Sequence, residues 1–492
     1  NSGGSSSTNA LTPSVEGAEL MVGDLMDDIT FQYNASAASG SGSGSSSSSS
    51  FAYANDKVSA LWDHTCAILD NGDLKCWGSD FNGQGGDGGG FGTCCTHAPP
   101  STAINLGTGR TAVAVSTGDE HTCAILDNGD LKCWGEDDYG QLGTDGLHQD
   151  LNMPSSTPID LGTGRTAVAV SNGHDHTCAI LDNGDLKCWG YDSNGQLGDG
   201  GSNAGLFVPS STAINLGTGR TAVALSAGYY HTCAILDNGD LKCWGQNQHG
   251  QLGDSGPHNP NPTDTGAPSS TAINLGSGRT AVSVDAGYYH TCAILDNGDL
   301  KCWGGDQTGQ LGDGGTDSNL NMPSSTPIDL GTGRTAVAVS AGGHHTCAIL
   351  DNGDLKCWGY DNEGQLGDGG SNWHLSEPST TAIDLGTGRT AVAVSAGGSH
   401  TCAILDNGDL KCWGADTSGQ LGNGGGVTDQ GSPVAVTGSN TWDSSTGLSS
   451  ASGGMTNVTG ATCTVSPALP TGLSIDSNTC TISGTPSVAT SN

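Results

Sequence analysis

One fifteen-residue string, HTCAILDNGDLKCWG, occurs seven times in this chain without a single change. A variant of STAINLGTGRTAVAVSAG precedes copies two to seven, and a string similar to GQLGDGG follows the Trp-Gly of each copy. Units that recur at a period near 55 residues bury their apolar faces against their neighbours, in stacks or closed rings. The seven copies start at His64, His121, His176, His231, His290, His345 and His400.

Each unit is predicted to consist of strands without a helix. Residues 111–116 are small and β-branched, and HTCAIL and LKCW flank an Asp-Asn-Gly turn, which is a strong hairpin signal. Residues 156–162 are predicted to form a fourth short strand. Four strands in each of seven units, with local connections, predict an all-β fold containing a seven-bladed β-propeller. A linear β-solenoid is the alternative, although its coils are usually much shorter.

The repeat resembles the regulator of chromosome condensation repeat over residues 55–438. The resemblance rests on Gly-x-x-His-Thr-x-Ala-(Ile/Leu), Asn-Gly, Trp-Gly and Gly-Gln-Leu-Gly, and it implies the same propeller fold. The cysteine-bearing version resembles repeats in secreted and surface proteins of microbes. The first copy departs from the pattern at residues 61–63 and 83–86, so we expect the ring to open and close there.

The two cysteines of each copy predict a strand register. In a three-residue loop Asp70-Asn71-Gly72 that ends in a left-handed glycine, Cys66 faces Cys76 and Ile68 faces Leu74 on the same side. A two-residue loop would instead place Cys66 opposite Trp77. We predict the first register, with one disulfide per copy, because the spacing and the single His per copy lack four zinc ligands. The pairs are Cys66/Cys76, Cys123/Cys133, Cys178/Cys188, Cys233/Cys243, Cys292/Cys302, Cys347/Cys357 and Cys402/Cys412.

Four cysteines lie outside the repeated string. Cys463 and Cys480 are predicted to bond to each other. Cys94 and Cys95 are adjacent, and two alternatives stay open for them: a disulfide between the two, or a bond to another chain.

Composition restricts the class of partner. The chain has 14 Lys and Arg against 50 Asp and Glu, a formal charge of −36, so it would repel nucleic-acid phosphate. No run of 18 apolar residues is present, and we predict no membrane-spanning segment. Eighteen cysteines in regular spacing predict an oxidised protein that is extracellular or attached to the cell surface.

Chemistry-bearing residues recur in every copy, which argues against an active site. We predict that the seven histidines are structural and that the chain is not an enzyme, since no copy shows a distinct nucleophile or acid–base pair. The DNGD turn and an acidic position after the Trp-Gly offer hard oxygen ligands of the type that calcium takes. They lack the spacing of an EF-hand, so we predict no cofactor.

Variation between copies is concentrated in two places. One is the pair of residues before each repeated His, which includes Tyr229-Tyr230 and Tyr288-Tyr289. The other is the loop after GQLG, which includes Phe207 and Trp373. Loops carry binding residues more often than the scaffold that presents them. A binding site, if the chain has one, is therefore predicted at these positions.

The two ends of the chain differ from the repeats. Residues 439–492 contain Leu-Pro-x-Gly-Leu-Ser and Ile-Ser-Gly-Thr-Pro, and they resemble part of an immunoglobulin-like module of microbial surface proteins. Residues 1–38 begin with Asn-Ser-Gly-Gly, which resembles the missing end of that module, and contain an alternating strand with Ile29, Phe31 and Tyr33. A Ser/Gly linker at 39–53 joins them to the propeller at 54–438. Asn34 and Asn457 are glycosylation candidates.

These observations predict an extracellular structural subunit of a filament, stalk or adhesin. Identical subunits would join head to tail when the N-terminal strand is added to the sandwich of the next subunit. A longer tandem chain with covalently joined modules would give the same order. The alternative function is a secreted binding module that presents propeller loops to a protein or glycan.

Overall fold

The structure is a computed structural model, and it describes residues 30–34, 57–92, 95–144, 149–202, 205–254, 264–316, 319–438, 442, 462–466, 473–475 and 482–484. These residues form 27 strands and no helix, which confirms the all-β prediction. In this part of the chain there is accordingly no helix that could cross a membrane. The chain divides into two compact units, Asn1–Ser49 with Ser449–Asn492, and Ser50–Leu448.

Seven antiparallel sheets in Ser50–Leu448 are the blades of the predicted propeller. The first strands are β2 (Val58–Leu61), β5 (Ala112–Thr117), β8 (Ala167–Asn172), β11 (Ala222–Ala227), β14 (Ala281–Ala286), β17 (Ala336–Ala341) and β21 (Ala391–Ala396). The second strands are β3 (His64–Ile68), β6 (His121–Leu126), β9 (His176–Leu181), β12 (His231–Leu236), β15 (His290–Leu295), β18 (His345–Leu350) and β22 (His400–Leu405). The third strands are β4 (Leu74–Gly78), β7 (Leu131–Gly135), β10 (Leu186–Gly190), β13 (Leu241–Gly245), β16 (Leu300–Gly304), β19 (Leu355–Tyr360) and β23 (Leu410–Gly414).

The predicted fourth strand at 156–162 is wrong. Residues 156–162 form only one ladder contact, from the Ile159 amide to the Leu131 carbonyl at 2.9 Å. Pro158 has no amide to donate, and the Asp160 carboxylate accepts from the Gly162 amide at 2.9 Å, which turns the chain away. The outer position is taken by the loop after GQLG, through single bridges in blades 1 to 5 and through β20 (His374–Leu375) and β24 (Gln430–Ala435) in blades 6 and 7.

Each central hairpin has the register that the three-residue loop predicts. In blade 1, Cys66 pairs with Cys76 and Ile68 with Leu74, and Gly72 adopts φ +83°. The seven predicted intrablade disulfides are all formed: Cys66–Cys76, Cys123–Cys133, Cys178–Cys188, Cys233–Cys243, Cys292–Cys302, Cys347–Cys357 and Cys402–Cys412.

The disulfides lie in the buried layer between blades, where they pack with the repeated tryptophan of the next blade. The third-strand cysteine is buried in the same way as its second-strand partner. The cysteine–tryptophan neighbours include Cys76 with Trp134, Cys133 with Trp189, Cys357 with Trp413, and Cys412 of blade 7 with Trp77 of blade 1.

The four remaining cysteines are described only in part. Cys95 is disulfide-bonded, whereas its neighbour Cys94 lies outside the described residues. Cys463 is a residue of a strand in the smaller unit, and Cys480 lies outside the described residues, so the predicted bond between these two stays a prediction.

The blades close into a ring. The indole of each repeated tryptophan donates to the backbone carbonyl of the Gln in the preceding blade, and Trp77 of blade 1 donates to Gln420 of blade 7 at 2.9 Å. Trp442 bridges to Leu69 and packs on Trp77 with ring centroids 5.5 Å apart. The ring therefore closes at blade 1, where the sequence departs from the repeat.

The smaller unit pairs the two ends of the chain. Strand β1 (Thr30–Asn34) is antiparallel to β25 (Thr462–Ser466), with Phe31 opposite Val465 and Tyr33 opposite Cys463. Strands β26 (Leu473–Ile475) and β27 (Ile482–Gly484) form a second antiparallel pair. The strand predicted to join a neighbouring subunit thus pairs within its own chain. Ile29 and Asn457 lie outside the described residues, and Asn34 is the last residue of β1.

Candidate binding face

The seven repeated histidines form a closed circle of hydrogen bonds between blades. Each His Nε2 lies 2.8–3.0 Å from the Thr Oγ1 of the next blade, and His400 closes the circle on Thr65. Each of these threonines donates its hydroxyl proton to a Gln carbonyl, so the His Nε2–H is the donor. Burial lowers the pKa of six of these histidines to about 3, and that of His400 to about 4. These neutral side chains hold adjacent blades together.

The repeated acidic positions also have local structural partners. The Asp80 carboxylate accepts from the Gly85 amide at 2.7 Å, and the equivalent side chain in each other blade accepts from the Leu of GQLG at 3.0–3.2 Å. In the DNGD turns, Asn71 bonds to both the amide and the carboxylate of Asp73. Within the described ranges, no three His, Cys, Asp or Glu side chains are grouped so that they could hold a metal.

The variable residues before each His lie around one end of the propeller axis. Neighbouring dipeptides are linked by backbone contacts, such as Asp119 amide to His174 carbonyl and His174 amide to Tyr229 carbonyl. The residue after each Trp-Gly donates its amide to the residue before the His, as Glu136 does to Glu120. We call these two sets of positions the variable face. Its dipeptides are Trp62-Asp63, Asp119-Glu120, His174-Asp175, Tyr229-Tyr230, Tyr288-Tyr289, Gly343-His344 and Gly398-Ser399, and its other positions are Ser79, Glu136, Tyr191, Gln246, Gly305, Tyr360 and Ala415.

Aromatic side chains on the variable face form one continuous cluster. Tyr229 lies between Tyr230 and Tyr288, with ring centroids 4.5 and 4.7 Å apart. Trp62 stacks on Tyr288 at 5.8 Å across the axis. The cluster extends through Tyr191, which contacts Tyr230 at 5.7 Å. The structure thus brings together the four tyrosines that the sequence indicated. It adds Trp62, which occupies the same variable position in the first copy, after Leu61 in place of the usual Gly.

The two aromatic residues predicted in the outer loop have other positions. Trp373 is 72% exposed, and its ring lies against the adjacent His374. Phe207 is half-buried, and its backbone lies against Gly140 of the preceding blade. Both belong to the outer edge of the blades, so they are not part of the axial cluster.

Carboxylates crowd one side of the variable face around a single imidazole. His174 Nε2 lies 2.8 Å from Asp119 and its Nδ1 lies 2.5 Å from Asp175. Burial opposes protonation of His174, but the hydrogen bonds to both carboxylates raise its pKa to about 9. Burial, with the nearby Glu120 and Asp175, raises the pKa of Glu136 to about 8. This side of the face therefore concentrates acidic groups around one imidazole, and Glu136 is largely protonated at pH 7.

The lysines and arginines of the chain all lie away from this face. The six arginines pair with the first Asp of a DNGD turn at 3.2–3.4 Å, at the opposite end of the hairpins. Seven lysines occupy the second position of the third strands, and Lys57 precedes β2 and donates to the Val113 carbonyl at 2.8 Å. All 14 Lys and Arg are among the described residues, so the variable face contains none of them.

Sequence reasoning also missed Asp285. The inner strands are linked by a second circle of bonds, in which a Ser side chain accepts from a backbone amide of the next blade. Asp285 replaces that Ser in blade 5 and accepts from Ala341 at 2.9 Å and from Ser226 at 2.8 Å. Burial raises its pKa to about 6. The signal was visible as the change from Ser-Ala-Gly to Asp-Ala-Gly before the fifth repeated His.

Replacing Asp285 with the Ser of the other blades should stabilise the propeller. The pKa of Asp285 is higher in the folded protein than in the unfolded chain. The ionised carboxylate therefore lowers the stability of the fold above pH 6, and this loss disappears as the group is protonated at lower pH. We expect Asp285→Ser to gain about 1–2 kcal/mol at pH 8 and less at pH 5.5, measured by urea unfolding. An equal change at both pH values would contradict the assignment of a buried titrating carboxylate.

Comparison with known proteins finds a propeller family over most of the chain and an immunoglobulin-like domain at its C-terminal end. The family model described as RCC1-like domain matches residues 86–458, and the regulator of chromosome condensation (RCC1) repeat matches residues 56–84. The "Putative Ig domain" model matches residues 425–492. The Arabidopsis thaliana ultraviolet-B receptor UVR8 is 31% identical, covering 75% of this chain and 78% of the receptor. The mitochondrial RCC1 domain-containing protein RUG3 of Arabidopsis thaliana is 30% identical over 66% of this chain and 70% of its own length. Yeast RCC1 (Prp20), in a crystal structure with Kap60 bound, has a TM-score of 0.63 at 19% identity, covering 87% of this chain and 92% of that chain.

Proposed function

This chain belongs to the RCC1-like family of β-propeller proteins, and from that premise we propose that it is an extracellular, non-catalytic binding protein. The variable face receives a protein partner, and the seven disulfide-bonded blades present that face as a rigid scaffold. Yeast RCC1 (Prp20), which has this fold, is itself seen bound to Kap60.

The observation that carries this proposal is where the copies differ. Blades with identical hairpins place different residues at the variable face, and these residues form an aromatic cluster beside a group of carboxylates. Tyr and Trp residues that meet at the centre of a surface are the usual energetic anchors of protein interfaces. Like charges that a single imidazole only partly offsets lower the stability of the free protein, which is typical of functional sites. Both features favour binding over a purely structural role.

An extracellular location is proposed from the cysteines. Seven disulfides lie in the core between blades, where their side chains are at most 5% exposed. Disulfides of this number persist in oxidising compartments and are rare where cellular thiols keep cysteines reduced.

A peptide selection tests the binding proposal. A phage-displayed library of random dodecapeptides is selected for binding to the wild-type protein. The affinities of the enriched peptides are then measured for the wild type and for two variants. Tyr229→Gly with Tyr230→Ser copies the dipeptide of blade 7 and should weaken binding at least a hundredfold, since each lost anchor costs roughly 2 kcal/mol or more. Trp373→Ser removes an exposed ring from the outer edge and should leave binding within twofold. Peptides that bind all three proteins equally would contradict the proposal.

A second function, as a subunit of a head-to-tail filament, is favoured by the pairing of β1 with β25. The five-residue register that joins Thr30–Asn34 to Thr462–Ser466 within one chain can form between two copies without any change of contact. Such an exchange is heterologous and builds open chains of subunits.

Deleting residues 1–36 tests this second function. If strand exchange joins the subunits, the wild type should show species that grow with protein concentration in light scattering, and the deletion variant should remain a folded monomer. Replacing Thr30 and Gln32 with proline removes two amides from the strand and should have the same effect while preserving chain length. Oligomers of unchanged size in both variants would exclude β1 as the connector.

A further inference from the structure

Tyr288 crosses the axial end of the variable face. Its ring contacts Trp62 of blade 1 and Tyr229 of blade 4, and its hydroxyl lies against Gly398 of blade 7. The side chain is only 8% exposed, and within the described part of the chain its hydroxyl has no hydrogen-bond partner. Buried hydroxyls are almost always bonded, and leaving one without a partner costs free energy. The phenol oxygen is therefore an unsatisfied group at the centre of the face.

A carboxylate oxygen on the same face is also unsatisfied. Asp119 bonds to His174 through Oδ2, whereas its buried Oδ1 has no partner among the described residues. Burial, followed by the charges of Asp119 and other groups including Asp63, raises the pKa of Tyr288, so both carboxylates act on the phenol. Burial and the charge of Asp119 also raise the pKa of Asp63. The phenol of blade 5 and the carboxylates of blades 1 and 2 thus belong to one face, where Trp62 stacks on Tyr288 and His174 connects Asp119 to Tyr229.

The chemistry at the axial end of the variable face favours a positively charged hydrogen-bond donor. An ammonium or guanidinium group offers several N–H donors, offsets the carboxylate charge and is attracted to the faces of aromatic rings. Trp62 is 39% exposed, so one such ring is open to an incoming group. The imidazole of His174 already lies within hydrogen-bond distance of Asp119 and Asp175, where its ring nitrogens meet these carboxylates as N–H donors of a partner would.

We propose that the axial end of the variable face, between Trp62, Asp119 and Tyr288, receives one lysine or arginine side chain of the protein partner. This proposal rests on the proposed binding function and names the chemistry of the partner at that surface. The partner carries the basic group on a segment that contacts the surrounding tyrosines. The charges are complementary, because the variable face has no Lys or Arg of its own.

The test uses the full chain and short peptide probes. Acetylated and amidated pentapeptides with Lys, Arg or norleucine between pairs of glycines are titrated by calorimetry and by the change in tryptophan fluorescence. Wild-type protein should bind the Lys or Arg peptide at least tenfold more tightly than the norleucine peptide. Asp119→Asn should reduce this binding at least tenfold, and Tyr288→Phe, which keeps the ring, at least threefold.

Matched controls separate the possible outcomes. Asp354→Asn removes one carboxylate from an exposed turn at the opposite end and should change binding less than twofold. Equal affinity for the Lys and norleucine peptides, or no effect of Asp119→Asn in a protein with unchanged circular dichroism, would overturn the proposal. Spermidine could also bind more tightly than every peptide and depend on Asp119 in the same way. That result would show that the site binds a free polyamine, and it would also overturn the proposal. If the selected dodecapeptides still require Tyr229 and Tyr230, the proposed function survives this failure.

Discussion

Reduction of all seven intrablade disulfides should unfold the propeller at 25 °C and neutral pH. Each bridge closes a short loop with a sequence separation of 10 residues, which the chain-entropy model values at about 2–3 kcal/mol. Seven such contributions sum to roughly 14–21 kcal/mol, which equals or exceeds the roughly 5–15 kcal/mol by which a typical domain is stable. Reduction also places two thiols per blade in a core that packs against the next blade's tryptophan.

The protein is reduced with a strong reductant and its thiols are then alkylated. Circular dichroism and tryptophan fluorescence measure whether the propeller has unfolded. The control is one pair, Cys233→Ala with Cys243→Ala, which should lower stability by about 2–3 kcal/mol and leave the propeller folded. Peptide mapping without reductant should show the seven pairs. A fully alkylated protein that keeps a cooperative unfolding transition would show that blade packing alone is sufficient.

Lowering the pH from 7 to 5 should destabilise the propeller strongly. The folded pKa of the repeated histidines lies near 3 or 4, below the unfolded value of about 6.5, so unfolding takes up protons and stability falls with pH. At pH 5 each histidine lowers the free energy of unfolding by about 2 kcal/mol, and the seven together lower it by about 14 kcal/mol. Buried carboxyls with raised pKa act in the opposite direction, but those raised to at least about 6 are fewer: Asp80, Glu136, Asp285 and Asp361.

Urea unfolding at pH values from 8 to 4 measures the net effect, and we expect a cooperative loss of structure between pH 6 and 4. His231→Gln keeps a donor toward Thr291 and should reduce the proton uptake on unfolding at pH 5 by about one. Stability that is constant down to pH 4 would show that the histidines do not enter the fold as buried neutral groups.

The blade hairpins were predictable because their determinants are local. The Asp-Asn-Gly turn and the alternation of Cys66, Ile68 and Leu74 decide the register within fifteen residues. The outer strand was predicted wrongly because the turn at Asp160 overrides the apolar pattern around it. The intrachain pairing of β1 with β25 joins segments more than 400 residues apart, and no local pattern distinguishes it from the same pairing between chains.

The binding face was predictable only in part. Variation beside each His pointed to Tyr229 and Tyr288, since identical copies make any difference conspicuous. Glu136 and Trp62 were missed because their importance depends on the circular arrangement of the blades. Glu136 follows a Trp-Gly, and only the backbone bond to Glu120 places it beside the other carboxylates. Trp62 meets Tyr288 because blade 1 and blade 5 both border the axis.

Hydroxyl-radical footprinting tests most directly whether the variable face is the binding surface. The full chain is oxidised alone and with a saturating peptide from the dodecapeptide selection, and oxidation of each aromatic side chain is measured by mass spectrometry. Trp62, Tyr230 and Tyr289 should be protected severalfold, while Trp373, 72% exposed at the outer edge, should be oxidised at the same rate in both samples. Protection of Trp373 with no change at Trp62, Tyr230 and Tyr289 would contradict the account.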